Sequence, residues 1–317
     1  MKILFINAGQ GPDYQCDVLF HGLKTLYGQD VYESADLWYM FNDITETEKH
    51  ALGGYGFSLY GLLPCNLKNV LPSAVTTKLI TLRHFDYIVY GSIWRCSDYF
   101  QSVARHYPKE KIIFVDGEDK PPLCKQFLHK GIYFKRELMH KKSNVFPICF
   151  GIPASKMVSS VGEKSKWQAH IIPGDKSTYI YDQEEPYYKD YAQSYFGITR
   201  KKGGWDCLRH YEILANGCLP YFIRLKRCPA ATMCLFPKQL ILQTNRLFKN
   251  KEQRTKNKEL ELLRLSEEAL AYTRKHLSTE SVATYMLHTA AQVKKVKPPF
   301  LFRLLRYARK VAASLWV

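Results

Sequence analysis

The feature that most restricts the fold is a series of short strands that are apolar along their whole length. The clearest lie at residues 2–7, 87–90 and 111–115, and each runs into a turn that contains glycine or aspartate. An unbroken apolar strand has to be covered on both faces, whereas an alternating strand can leave one face in water. Helical sequence separates these strands, beginning with residues 13–27. This order predicts an α/β protein with a parallel sheet and helices packed on both sides.

The chain is also long enough for a second unit of this kind. It has 317 residues, which is more than a single hydrophobic core usually organises. A boundary rich in Ser, Gly and Lys at 155–166 is followed by predicted strands at 195–198 and 219–222. Residues 240–242 predict one more strand, and the chain beyond residue 250 is predicted to be helical. We therefore expect two Rossmann-like halves followed by C-terminal helices.

The balance of charge indicates an anionic partner. The chain has 46 Lys and Arg against 29 Asp and Glu, which gives a formal net charge of +17. Nucleic acid, an acidic membrane surface and phosphorylated substrates would all suit such a chain. No helix-turn-helix, zinc-finger or RNP-like signature is present in the sequence, so we expect no nucleic-acid partner.

The cysteines and the apolar segments bear on the compartment. The nine cysteines are scattered, and no Cys-x-x-Cys occurs. This spacing argues against a zinc site or a disulfide framework and favours reduced thiols. The sequence shows no signal-peptide pattern, and no apolar stretch approaches the roughly 20 residues that a membrane-spanning helix needs. These patterns predict a cytoplasmic protein.

The most informative segment is residues 195–222, which predict a strand, a basic glycine turn, a helix and a second strand. Gly203 and Gly204 would let the backbone approach phosphate oxygens closely, and Lys202 brings positive charge to the same turn. Asp206 is predicted to cap the helix, whose first backbone N–H groups favour an anion. This arrangement favours a nucleotide diphosphate as the ligand.

Two charged residues of this predicted helix share a face. Arg209 and Glu212 are three positions apart, so their side chains lie side by side. The arginine suits a phosphate, and the glutamate can accept two hydrogen bonds from the hydroxyls of a ribose. Asn216, close to the end of the helix, is included among the predicted ligand-binding residues. An ordinary solvated pair on a surface helix is the alternative interpretation.

This segment resembles the donor-binding signature of GT-B glycosyltransferases, and most of all that of the exostosin-like group. The pattern is a glycine turn followed by Arg-x-x-Glu-x-x-x-x-Gly-x-x-Pro, which is carried here by Arg209, Glu212, Gly217 and Pro220. The resemblance implies two Rossmann-like domains that face each other across a cleft, with the glutamate on the nucleotide ribose and the basic residue at the diphosphate. It divides the chain into an acceptor-side domain at 1–155, a nucleotide-sugar-binding domain at 156–290 and a basic helix at 291–317.

The resemblance also implies that the first domain supplies the acceptor site and a base. Asp116, Glu118 and Asp119 follow a predicted parallel strand, and ligands of open α/β sheets bind beyond such strand ends. Asp116 is the first choice for the base and Glu118 the second, with Asp13 and Asp17 also eligible; a plain turn is the alternative. These oxygens could hold a metal, but GT-B enzymes generally need none, so no metal is predicted.

Two other parts of the sequence complete the prediction. Residues 293–317 contain seven Lys or Arg and no acid, and 300–317 form an apolar stripe with basic residues opposite. This pattern is typical of a helix that lies on an anionic membrane surface, or of one that docks on the protein's own core. The glycine turns at 9–11 and Gly53–Gly56 require no chemistry of their own.

Together these patterns predict transfer of a sugar from a nucleotide-sugar to the hydroxyl of a glycan or a lipid-linked glycan. The nucleotide-sugar is a co-substrate, and no further cofactor is expected. Three alternatives stay open at this stage. They are a non-catalytic nucleotide- or glycan-binding protein, a nucleic-acid-binding protein and a single-domain methyltransferase.

Overall fold

The computed structural model describes residues 1–249 and 255–293, and it contains two sheets in which every strand pairing is parallel. The first sheet has six strands in the order β2-β1-β3-β4-β5-β6, and the second has three in the order β7-β8-β9. The strands are β1 (Ile3–Ile6), β2 (Val31–Glu33), β3 (Tyr87–Tyr90), β4 (Ile112–Asp116), β5 (Ile132–Lys135), β6 (Val145–Pro147), β7 (Lys166–Gln168), β8 (Ser194–Arg200) and β9 (Leu219–Ile223).

The helices precede, separate and follow these strands. They are α1 (Tyr14–Tyr27), α2 (Glu46–His50), α3 (Ser73–Thr81), α4 (Phe100–His106), α5 (Glu184–Ala192), α6 (Leu208–Ala215), α7 (Lys238–Lys249), α8 (Lys256–His276) and α9 (Thr279–Val293). The predicted α/β class with two parallel-sheet halves is confirmed. One predicted element is wrong, because residues 240–242 lie inside α7 and not in a strand.

The first sheet is covered on both faces, as its apolar strands require. Ile3 and Phe5 of β1 are fully buried and belong to the core on the side of α1. Leu4 and Ile6 are equally buried and belong to the core on the side of α3 and α4. Successive side chains of a strand point to opposite faces, so an unbroken apolar run feeds two cores at once.

The described chain ends by returning to the first sheet. α9 packs against α1, and the two helices approach so closely at Gly22 that a Cβ there would overlap the backbone carbonyl of Thr279. His21 Nδ1 lies 2.9 Å from Thr279 Oγ1, and Ile152 N donates to Leu277 O at 2.9 Å. Most of α9 thus lies within the range predicted for the second domain, yet the helix contacts α1 of the first.

The basic segment predicted at 291–317 is described only in part. Residues 291–293 complete α9, and 294–317 lie outside the described residues, so the predicted membrane-contacting helix at 300–317 stays a prediction. Within the described ranges, no helix combines the length and the apolar character that a membrane crossing requires.

Candidate functional site

A cleft of about 750 Å³ separates the two halves of the protein. On one side lie the segments that follow β1 and β4, including Asp13, Tyr14 and Glu118. On the other side lie the turn between β8 and α6 and the first turns of α6. The carboxyl ends of the strands of the first sheet therefore face the glycine turn of the second, at the place where open α/β sheets bind ligands.

Five of the six residues predicted to bind the donor line this cleft: Lys202, Gly203, Gly204, Arg209 and Glu212. Asn216 does not. Its side chain is buried at the end of α6, where Nδ2 donates to the backbone carbonyl of Glu212 at 2.8 Å. An asparagine that satisfies a helix-terminal carbonyl in this way serves the helix end, and its placement does not favour a ligand-binding role.

α6 begins without the cap that the sequence predicts. Asp206 Oδ2 accepts from Phe150 N at 2.8 Å, and Oδ1 accepts from Tyr211 OH at 2.8 Å. Both oxygens of the carboxylate thus have partners, one in an earlier loop and one in the body of the helix. The prediction of an Asp206 cap is wrong, and the helix starts at Leu208 with its first residues on the cleft wall.

The two glycines of the turn permit close approach to carboxylates of the opposite half. A Cβ at Gly203 would overlap the Asp119 carboxylate, and one at Gly204 would lie 2.5 Å from Glu137 Oε1. Glycine at both positions therefore lets the β8–α6 turn reach the loops that follow β4 and β5. In this structure Gly203 and Gly204 closely approach carboxylate oxygens of the protein. The sequence analysis expected them to approach phosphate oxygens of a ligand.

Arg136 and Glu137 join the halves at the base of the cleft. Arg136 Nη1 donates to Asp206 O at 2.9 Å, and Asp206 N donates to Glu137 Oε1 at 2.9 Å. The guanidinium also pairs with Asp119. Burial raises the pKa of Asp206 to about 6, against the opposing effect of the nearby Arg136 charge. This buried network fixes the position of the glycine turn relative to the first sheet.

The Glu212 carboxylate is held from both halves. It accepts a hydrogen bond from Ser58 Oγ, which lies in the first half just after the glycine turn Gly53–Gly56. It accepts a second from Tyr187 OH of α5, in the second half, at 2.5 Å. Its residue is 7% exposed and lines the cleft. Each carboxylate oxygen can accept a second hydrogen bond, so this oriented group retains capacity for two hydroxyls of a ligand.

Arg209 presents an unused donor at the same place. Nη1 donates to Tyr179 OH at 3.1 Å, and the guanidinium lies 5.0 Å from the centre of the Tyr179 ring. Nε is buried and has no hydrogen-bond partner among the described residues. A buried donor without a partner is costly, so this atom fits an anionic ligand that would complete its bonding.

The carboxylates predicted as the base differ sharply in placement. Asp116 is fully buried beneath the cleft, where Oδ1 pairs with Lys135 Nζ at 2.7 Å and Oδ2 accepts from Tyr133 OH at 2.6 Å. Glu118 is exposed and lines the cleft. The geometry therefore does not favour the first choice, Asp116, as a base; it leaves Glu118 in reach of a ligand.

The other two eligible carboxylates divide in the same way. Asp13 lines the cleft, but Oδ1 caps α1 by accepting from Cys16 N at 3.3 Å and Oδ2 lies 3.2 Å from Arg95 Nε. Asp17 is buried and accepts hydrogen bonds from Tyr39 and Tyr60. Neither side chain is as free as that of Glu118.

The sequence analysis missed the loop that contains Gly53–Gly56. Gly54, Tyr55 and Phe57 line the cleft, and the Phe57 ring stacks on that of Tyr187 with centroids 5.8 Å apart. Ser58, directly after them, reaches Glu212 with its backbone in the left-handed region at φ 73°. The only signal in the sequence is the density of glycine, which predicts a turn but not its contacts.

The described part of the chain also bears on the carboxylates that could serve as ligands of a metal ion. No group of three or more His, Cys, Asp and Glu side chains is arranged there to hold a metal ion. Asp116, which the sequence offered as one oxygen ligand, is committed to Lys135 and Tyr133.

Comparison with known proteins finds similarity in structure only. No protein-family model matches the sequence, and no curated protein matches it. The structure of HepE from Anabaena in complex with UDP-glucose aligns with a TM-score of 0.50 and 9% sequence identity, covering 92% of this chain and 100% of that one.

Two further solved structures align less closely. An α-glucosyltransferase in complex with UDP and a 13-mer DNA gives a TM-score of 0.44 at 10% identity, covering 92% of this chain and 99% of that one. MurG from Acinetobacter baumannii gives 0.38 at 12% identity, covering 91% and 100%. The likeness to HepE agrees with the two parallel sheets and the cleft between them. The chain has the GT-B fold.

Proposed function

We propose that the protein is a glycosyltransferase that moves a sugar from a nucleotide-sugar to a hydroxyl of a glycan or a lipid-linked glycan. The observation that carries this proposal is the pair on α6. Arg209 offers a buried N–H without a partner, and Glu212 offers a carboxylate oriented by both halves of the protein. The structure of HepE, which shares the fold, holds UDP-glucose.

The cleft provides complementary groups for each part of a UDP-sugar. Glu212 would accept hydrogen bonds from the two ribose hydroxyls. The aromatic side chains of Phe57 and Tyr181 offer an apolar wall for the nucleobase. Arg209, Lys202 and the first backbone N–H groups of α6 would hold the diphosphate. These groups would neutralise charge on the departing diphosphate without a metal, as the resemblance to GT-B enzymes implies.

We assign the base of the transfer to Glu118. Its carboxylate would take the proton of the acceptor hydroxyl while that oxygen forms a bond to the anomeric carbon of the sugar. The bond from the anomeric carbon to the diphosphate oxygen breaks in the same displacement, and its electron pair leaves with the nucleoside diphosphate. Exposure of Glu118 on the acceptor side of the cleft supports this role.

A lipid-linked acceptor would agree with the basic end of the chain. Residues 300–317 combine an apolar stripe with basic residues in sequence, a pattern that suits contact with an anionic membrane surface. We include this peripheral contact in the proposal on the basis of the sequence alone.

Isothermal titration calorimetry with UDP and UDP-glucose tests the donor assignment. The unmodified protein should bind both, and Glu212→Ala should weaken binding by about tenfold or more because hydrogen bonds to a charged group are lost. Glu261→Ala is the matched control, since this glutamate is exposed on α8 and does not line the cleft.

Release of UDP from UDP-glucose, with the glucosyl group passing to water or to an added glycan hydroxyl, should accompany binding. Equal affinity in the Glu212→Ala variant and the control would refute the ribose assignment. Binding without any turnover would refute transfer and leave a non-catalytic nucleotide-binding protein.

A further inference from the structure

Two further hollows continue the cleft across the first half of the protein. The nearer one has a volume of about 470 Å³ and shares Arg95 with the cleft. The farther one, of about 640 Å³, shares Ser97 and Gln126 with the nearer. Because each hollow has lining residues in common with the next, the three lie next to one another from the cleft to α4. We call the two outer hollows the side groove.

The side groove combines an exposed aromatic ring with polar and basic side chains. Trp94 is 48% exposed. Among the described residues, no aspartate or glutamate lines either hollow. The neutral amide and hydroxyl lining consists of Ser97, Tyr99, Gln101, Ser102 and Gln126, and the charged lining consists of Arg95, Arg105 and Lys125.

The three cations of the side groove differ in whether a protein group already pairs with them. Arg105 and Lys125 are exposed, and neither forms an ion pair with a described residue. Arg95, at the junction with the cleft, is fixed by Asp13 at 3.2 Å and by Pro12 O, which accepts from Nη1 at 2.9 Å. The groove thus has one ordered cation at its inner end and two unpaired cations farther out.

We propose that the side groove binds the acceptor and that this acceptor is an anionic glycan, an inference that rests on the proposed function. Trp94 offers an apolar face for a sugar ring, and the amides and hydroxyls suit sugar hydroxyl groups. The unpaired cations complement carboxylate or phosphate groups spaced along the chain. The nearer hollow adjoins the cleft at Arg95, and Glu118 lines the same cleft, so a chain bound in the side groove would extend toward the assigned base.

The lining favours a glycan over a nucleic acid. Single strands of nucleic acid are usually held by several aromatic rings on which successive bases stack, together with a continuous basic track. Tyr99, Phe100 and Phe127 also line the farther hollow, but none of these three rings is exposed, so Trp94 is the one exposed aromatic side chain among the described residues that line the side groove. The neutral amide and hydroxyl side chains also outnumber the cations. Such a surface suits hydroxyl-rich units with intermittent charge.

Calorimetry on the full chain, with UDP present at saturation, tests the proposal with defined six-unit ligands. The probes are an oligogalacturonate hexamer, a phosphorylated mannose hexamer, neutral maltohexaose and the deoxythymidine hexanucleotide. At least one anionic glycan should bind about tenfold more tightly than maltohexaose. The two anionic arms separate carboxylate from phosphate as the recognised group.

Variants locate the binding on the side groove. Trp94→Ala, and the double variant Arg105→Ala with Lys125→Ala, should each weaken binding of the anionic glycan about tenfold, while UDP affinity is unchanged. Lys109→Ala is the control, because this lysine is exposed and lies outside the groove.

Several results would overturn the proposal. They are tighter binding of the hexanucleotide, equal binding of maltohexaose, failure of every glycan to bind, or groove variants that match the control. The affinity for UDP alone, measured first, reports on the proposed function separately. A chain that binds UDP but no glycan would refute the side groove and leave the donor site intact.

Discussion

Carboxylates at the cleft show how the surroundings of a single residue decide its role. Glu212 is oriented by Ser58 and Tyr187 and still faces the cleft. Asp116 is also buried, but both of its oxygens are engaged by Lys135 and Tyr133, beneath the cleft. A buried carboxylate with a buried cation at 2.7 Å is an internal ion pair. One carboxylate is therefore open to the cleft, and the other is committed to an internal ion pair.

Asp116→Asn and Glu118→Gln form a pair of variants that separates these roles. Asp116→Asn should lower the free energy of unfolding by about 3–5 kcal/mol, because it leaves Lys135 buried without its counter-charge. Glu118→Gln should change stability by less than about 0.5 kcal/mol, since its side chain is exposed. It should slow UDP release from UDP-glucose about 100-fold or more if it is the base.

Urea unfolding at neutral pH and a UDP-release assay measure the two effects independently. Full stability of Asp116→Asn would contradict the structural role of this residue. Full activity of Glu118→Gln would contradict its assignment as the base, whatever the stability of the protein.

At this scale the sequence predicts what depends on local spacing. Arg209 and Glu212 reach one wall of the cleft because residues three apart share a helix face. The sequence predicts that Asp206 caps α6, but its carboxylate accepts hydrogen bonds from Phe150 N and Tyr211 OH instead. Partners as distant in sequence as Phe150 are set by the tertiary fold, so no local pattern could have revealed them.

The strands that sequence analysis missed either contain a buried charged residue or are very short. β2 and β5 end in the charged residues Glu33 and Lys135, and both side chains are buried through ion pairs with Lys24 and Asp116. A search for unbroken apolar runs passes over such strands. β6 and β7 have only three residues each, which is too short for any periodicity to appear.

The error at residues 240–242 has a similar origin. Three apolar residues in a row fit a short strand and a buried helix segment equally well. In the structure Ile241 and Thr244 are buried while Gln243 and Arg246 are exposed, which is the period of a helix. Asn245 of α7 also pairs with the backbone of Phe222 in β9, donating at 2.8 Å and accepting at 3.0 Å.

Gly22→Ala tests the contact between α1 and α9. Alanine favours a helix by about 1 kcal/mol over glycine, but its Cβ would overlap the Thr279 carbonyl, which is rigid backbone. Overpacking of this kind costs about 1–3 kcal/mol, and here the helices must separate to relieve it. We expect a net loss of about 1 kcal/mol or more in the free energy of unfolding, measured with urea.

Gly162→Ala is the control for this variant. A Cβ at Gly162 meets nothing within 4 Å, and its φ is not in the left-handed region. It should therefore be neutral or slightly stabilising. A Gly22→Ala variant as stable as Gly162→Ala would contradict the close approach of α1 and α9.

For the molecule as a whole, the cleft depends on contacts between distant parts of the chain. The network of Arg136, Glu137 and Asp206 joins the halves at the base. The bond from Ser58 to Glu212 joins them at the wall, and α9 returns to α1. The sequence predicts two halves from their strand patterns, but it holds no local signal for how they are fastened.

The pH dependence of stability is the prediction that belongs to the whole molecule. Burial, with a further effect of the Asp13 charge, raises the pKa of Asp17 to about 8 in the folded protein. The unfolded chain has released this proton well below pH 6.5, so the folded state binds one more proton, and stability falls as pH rises. His21 and His210, whose pKa values burial lowers to about 4 and about 3, act in the opposite sense. They stay neutral in the folded protein while the unfolded imidazoles take up protons as pH falls through their ordinary pKa of 6.5, which offsets the Asp17 effect near that pH.

The Asp17 effect is therefore obtained by comparing the unmodified protein with Asp17→Asn, which cannot ionise, because the histidines and the thiols of the unfolded chain affect both proteins equally. Urea unfolding between pH 6.5 and 8 should show the free energy of unfolding of the unmodified protein falling by about 1 kcal/mol per pH unit more than that of the variant. An identical slope in the variant would mean that Asp17 is already ionised in the folded state. The donors Tyr39 and Tyr60 would then be stabilising a buried charge rather than a neutral acid.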